Sequence, residues 1–98
     1  SYTVENLMRV KAAHPQMPIA VLEAGWATTA SEFGERANEA AQVRYFDELA
    51  QWGRRANVTV FFFSAFDEPW KGDPNDPLGA EKHWGVFFEN RTPKAVLQ

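Results

Sequence analysis

Glu23 stands at the end of the apolar run Ile19-Ala-Val-Leu22 and just before Gly25-Trp26. A charged residue in that place does not serve packing. A second apolar run, Val58-Thr-Val-Phe-Phe-Phe-Ser-Ala-Phe66, opens likewise into Asp67-Glu-Pro-Trp-Lys71, and Glu81-Lys-His-Trp84 comes a loop later. Acids interleaved with tryptophans suit carbohydrate. The C–H faces of a pyranose stack on indole, while its hydroxyls bond to carboxylates and lysine. Cleaving a glycosidic bond takes two flanking carboxyl groups, roughly 5 Å apart when configuration is retained. A lysine such as Lys71 beside a nucleophilic carboxylate would hold it ionised through the opposite charge. Each residue also has a plainer use. Asp67 and Glu68 before a proline can cap a turn, and Lys71 can form a surface ion pair of little energetic weight. The same pattern at two successive strand ends tells against coincidence.

The elements that must position these side chains follow from periodicity. Residues 3–13 set Val4, Leu7 and Met8 at helical spacing, with Thr3 as N-cap and Pro15 as stop signal. The run over 19–25 lacks alternation, as expected of a parallel strand buried on both faces. Gly25 then provides a sharp turn. Residues 27–37 are small and polar, a loop. Asn38 caps a long helix to about Arg55, on which Val43, Phe46, Leu49, Ala50 and Gly53 form an apolar stripe. Gln42, Arg44, Asp47, Glu48, Gln51 and Arg54 make its solvated face. A second buried strand spans 58–66, a turn-rich loop 72–79, a short strand 86–88, and a further helix is only beginning at the last residue. The order helix–strand–helix–strand is βαβ with a leading helix, so the fold class is α/β with two parallel strands and a crossover helix. Both strands then deliver their acids to one rim. Glu23, Trp26, Asp67, Glu68, Trp70 and Lys71 crowd it, and the loop brings Glu81, His83 and Trp84 over it. A carboxylate at the carboxyl end of a buried parallel strand is where α/β barrels keep their chemistry.

Composition bounds the rest. Ninety-eight residues make one small domain, 45% hydrophobic and 14% aromatic. A net charge of −3 offers no basic patch for nucleic acid. The absence of cysteine excludes disulfides and thiolate metal sites, and no apolar run is long enough for a bilayer. The N-terminus lacks the architecture of a signal peptide. No metal or organic cofactor is implied. Asp73, Asn75 and Asp76 read as turn residues rather than a calcium loop, because two prolines interrupt them. Asn57-Val-Thr59 and Asn90-Arg-Thr92 fit the glycosylation sequon, a pattern short enough to arise by chance.

Val21-Leu-Glu-Ala-Gly-Trp26 resembles the strand-seven nucleophile motif of glycoside hydrolase family 17, the β-1,3-glucanase and glucanosyltransferase family. Phe63-Ser-Ala-Phe-Asp-Glu-Pro-Trp-Lys71 resembles its strand-eight segment, and Glu81-Lys-His-Trp-Gly-Val-Phe87 with Arg91-Thr-Pro-Lys94 resembles the stretch after that strand. Three linked motifs, in order and at sensible spacing, cover nearly the whole chain. The resemblance implies that Glu23 is the catalytic nucleophile, with Glu68, Lys71 and Glu81 as supporting polar residues. Trp26, Trp70 and Trp84 would border the sugar subsites, with Asp67 and His83 beside them. It also implies a β-glucan or oligosaccharide partner, and a secreted or periplasmic parent enzyme. Two positions depart from the family: Ala24 stands where Ser or Thr is usual, and Ala27 where Pro is frequent.

The family fold is a (β/α)8 barrel whose acid/base glutamate comes from strand four. Residues 1–98 correspond to helix six through the start of helix eight, a partial barrel carrying half of the catalytic pair. Without an acid to protonate the leaving oxygen, glycosyl transfer is expected to be very slow. Two strands cannot hide both faces and edges, so the sequence predicts a homo-oligomer, a dimer or tetramer that completes the sheet. Three readings stay open: a weakly active glucanase fragment, a sugar-binding module, and a self-assembling scaffold.

Overall fold

The computed structural model describes all residues, Ser1–Gln98. Helix α1 spans Tyr2–Ala13, strand β1 Ala20–Ala24, helix α2 Glu39–Ala56 and strand β2 Thr59–Phe62. Single 3-10 turns occupy Gly34–Arg36, Ala80–Lys82 and Ala95–Leu97. The element order is the expected one, and β1 and β2 pair in parallel.

The local reasons are largely legible. Asn38 caps α2, its side chain accepting from Ala41 N at 2.7 Å, and Asn57 ends the helix in the left-handed conformation at φ 56°. The N-cap of α1 is Ser1 rather than Thr3, because the helix starts one residue after the N-terminus and Ser1 Oγ accepts from Val4 N. The Thr3 hydroxyl lies instead 3.4 Å from Tyr45 Oη. The expected strand over 86–88 reduces to bridges, Phe87 to Phe66 in parallel and to Pro93 antiparallel. Segment 84–87 is nonetheless fixed by backbone bonds: Ser64 N donates to Trp84 O, and Val86 N to Ser64 O.

The core lies between the sheet and α2. Ala24, Leu49, Trp52 and Val58 are buried together, with Val4, Leu7, Ile19, Val21 and Val60 packed around them. The other face of the sheet is uncovered, contrary to the expectation of strands buried on both sides: Leu22 is 78% and Phe61 56% exposed. The continuous apolar runs match a sheet with two covered faces, but these residues supply a cover for one. The molecule measures 45 × 27 × 22 Å. Its accessible surface of 6639 Å² exceeds by roughly 1,000 Å² what a compact protein of this mass shows.

Candidate active site

Glu23 is aimed by an irregularity in β1. The register pairs Val21 with Val60 and Ala24 with Phe62, so three steps along β1 match two along β2. This is a bulge, a device that re-aims side chains beside functional sites. Val21 and Ala24 both serve the core, while Leu22 and Glu23 both stand exposed, which strict alternation would forbid. The Glu23 carboxylate has no hydrogen bond or ion pair within the chain. It opens on a cavity of about 240 Å³ shared with Glu81, Tyr45, Phe63 and Trp84.

The closeness of these walls depends on Gly25. A Cβ there would lie 2.2 Å from Phe63 O and 2.8 Å from Trp84 Cε3. The glycine is therefore required by space rather than by the sharp turn the sequence suggests, since its φ is not positive. Phe63 meets Trp84 edge-on, with centroids 6.4 Å apart. Lys71 Nζ stands 4.6 Å above the Phe63 ring and 2.7 Å from Glu68 Oε2. That buried oxygen has no other partner, and the contact is an ion pair whose angles fall short of a hydrogen bond. Gly72, next to Lys71, backs onto Glu81, whose Cβ would be 3.1 Å from a Cβ at Gly72. The rim therefore runs from Glu23 to Glu81, then past Gly72 to the Lys71–Glu68 pair. Trp70 lies further out, 73% exposed.

Asp67 and His83 face the other way. Asp67 is buried, and its Oδ1 accepts from Gly85 N at 2.9 Å and from Lys94 Nζ at 2.7 Å. His83 Nδ1 is 3.7 Å from Asp67 Oδ2, and its Nε2 bonds Pro77 O. These two residues brace the loop that carries Trp84. Trp26 turns its indole N–H to Arg36 O and its ring toward Tyr45 at 5.4 Å. It lines a second cleft of about 300 Å³, with Phe33 and Arg36, which adjoins the first across Gly25, Tyr45 and Trp84. Asp73 and Asp76 accept from Asn75 N and Leu78 N, the side-chain-to-backbone bonds of ordinary turns.

Three supports escape a reading of the sequence. Gln42 is placed on the solvated face of α2 by its polarity, yet it stands one helical turn before Phe46 on the buried stripe, is fully buried and bonds to Trp26 O and Gly85 O. Lys94 is fully buried as well, held by Asp67 and Thr28 Oγ1, with its ammonium 5.0 Å from the Phe88 ring. Glu32, in the loop after β1, accepts from Ala80 N at 3.1 Å and from Ser31 Oγ at 2.9 Å. The bond from its own backbone N–H first, then those from Ala80 and Ser31, hold its carboxyl below the usual glutamate range. A buried lysine is visible in a sequence only once its carboxylate partner is known.

Two parallel strands joined by a crossover helix, with acids on the carboxyl-end rim, form an α/β segment of the kind found in (β/α)8 barrels. The chain belongs to the glycosyl hydrolases family 17, whose model matches residues 3–98. It is 38% identical over 76 residues to a glucan 1,3-beta-glucosidase of Schizosaccharomyces pombe, covering 76% of this chain and 23% of that relative. Its structure matches an endo-laminarinase from Formosa Hel1_33_131 with a TM-score of 0.78 at 31% identity, over 93% of this chain and 24% of the other. An active-site mutant of the Rhizomucor miehei beta-1,3-glucanosyltransferase, in complex with laminaritriose, matches with a TM-score of 0.74 at 26% identity, over 95% and 35%. The chain thus spans a quarter to a third of the length of these proteins.

Proposed function

We propose that this chain supplies the nucleophile half of a retaining glycoside hydrolase site for β-1,3-glucan. The observation that carries the reading is Glu23: a bulge aims it into a cavity walled by Trp84 and Glu81, and no group of the chain occupies its oxygens. In the forward step a Glu23 oxygen bonds to the anomeric carbon as the glycosidic C–O bond breaks, giving a glycosyl ester. Water later cleaves that ester. Glu81 and the Lys71–Glu68 pair bond sugar hydroxyls, and Trp26, Trp70 and Trp84 offer faces to the rings. Asp67 and His83 act through the loop they brace rather than by touching sugar. The departing oxygen needs a proton, which the family draws from strand four, outside these residues. The 98-residue chain alone should therefore cleave laminarin weakly or not at all.

An activated donor separates the two halves. Laminaribiosyl fluoride loses fluoride without protonation, so the nucleophile can act by itself. With the 2-deoxy-2-fluoro form, mass spectrometry should find a glycosyl adduct on Glu23 that Glu23→Gln abolishes. A folded protein that never labels would refute the assignment.

A second reading, sugar binding without turnover, is favoured by the exposed Trp70 and by the aromatic cleft beside Trp26. Calorimetric titration with laminari-oligosaccharides should show binding that weakens in Trp70→Ala. A flat titration removes this reading. The uncovered Leu22–Phe61 face also supports self-association of the 98-residue chain.

A further inference from the structure

Gln42 lies in the first turn of α2 with no accessible surface, an uncommon place for a glutamine. Its carboxamide nitrogen donates to Gly85 O at 3.0 Å and to Trp26 O at 3.2 Å. The two hydrogens of one NH2 group serve both bonds at once. Trp26 is three residues beyond Glu23, and Gly85 directly follows Trp84. The loops meet one another through Thr28 N and His83 O at 3.0 Å. Gln42 alone ties both by hydrogen bonds to α2, which is anchored through Leu49 and Trp52 in the core. Its Oε1 is buried with no partner. An apolar side chain of the same size would fill the place without leaving an acceptor unsatisfied. The carboxamide therefore earns its position through its two donors.

We propose that Gln42 is a positioning residue that sets the gap between the Glu23–Trp26 loop and the Trp84–Gly85 loop, and with it the width offered to a glucosyl ring. This rests on reading the Glu23–Trp84 cavity as the sugar site. The fit is tight on the opposite side, where Trp84 already touches Gly25, so a loop released from Gln42 has room to move only outward.

The test combines NMR and calorimetry on the 98-residue chain with laminaritriose as the probe. In the wild type, the Gln42 side-chain amide protons should exchange with solvent far more slowly than those of exposed Gln51. Gln42→Met should shift or broaden the Trp26 and Trp84 indole signals, leave those of Trp52 and Trp70 in place, and weaken laminaritriose binding about tenfold or more. Ile19→Ala, a core-packing variant at the end of β1 opposite both loops, should lower the melting temperature without moving either indole or the affinity. A folded Gln42→Met with wild-type indole signals and affinity would overturn the proposal. If that variant fails to fold, Gln42→Asn, an amide too short to span both carbonyls, takes its place. Rapid exchange of the wild-type Gln42 amide protons is equally decisive against it. If the wild type does not bind laminaritriose, the sugar reading falls, while the indole shifts and the amide exchange still decide whether Gln42 holds the loops.

Discussion

Gly25 is the residue on which the candidate site is most tightly constrained. Phe63 O, a backbone atom in a paired segment, would lie 2.2 Å from any added Cβ and cannot swing aside. Gly25→Ala should therefore destabilise by about 1–3 kcal/mol, the range for forcing extra volume into packed structure. It should also displace the Trp84 ring, seen as a changed indole signal and a loss of Glu23 labelling. Wild-type stability by urea denaturation would contradict the geometry. Glu32 makes a prediction in pH. Its folded-state pKa is depressed, so its contribution is present above the unfolded value and is lost as pH falls through the folded one. The stability advantage of the wild type over Glu32→Gln should thus hold at neutral pH and vanish in acid. The titration midpoint of Glu32, followed by NMR, should lie below the ordinary glutamate value. A midpoint above it would reverse the sign.

At the scale of elements, the segment after β2, the 83–87 segment and the final turn are joined at one ion pair. Asp67 receives Gly85 N and Lys94 Nζ, Lys94 N donates to Val86 O, and Ala95 N donates to Glu39 Oε1 on α2. Lys94 has no accessible surface, so Lys94→Met strands a buried carboxylate and should cost about 3–5 kcal/mol. That is a large share of the roughly 5–15 kcal/mol a domain of this size possesses. Adding Asp67→Asn removes the stranded charge, and the double variant should be more stable than Lys94→Met alone. Equal or lower stability of the double variant would mean that charge is not the issue. The elements themselves were largely legible: α2 begins at its asparagine cap, and both strands lie within the apolar runs. The 86–88 segment was not, because its extended shape comes from pairing with residues 64–66 and 93 rather than from its own pattern.

At the scale of the whole molecule, a two-stranded parallel sheet has α2 on one face and nothing on the other. The exposed apolar side chains Leu22 and Phe61, with the open edges of both strands, leave a surface that isolated sheets do not sustain. The 98-residue chain should therefore self-associate. Sedimentation at micromolar concentration should report a dimer or larger species, and Leu22→Lys/Phe61→Glu should shift it toward monomer by placing charge on that face. A folded wild-type monomer at the same concentration would show that the face tolerates water.

The sequence by itself determined the α/β order, the parallel pairing and the place of Glu23 at the carboxyl end of its strand, because hydrophobic period and strand direction place residues on a rim without knowledge of any long-range contact. Tertiary structure alone decided how those residues are used. A one-residue slip against β2 aims Glu23, the approach of Trp84 makes Gly25 obligatory, and bonds to Lys94, Gly85 and Pro77 turn Asp67 and His83 into braces while Lys94 is drawn inside. Each of these depends on which segments come within a few ångströms of one another, and local pattern carries no record of that.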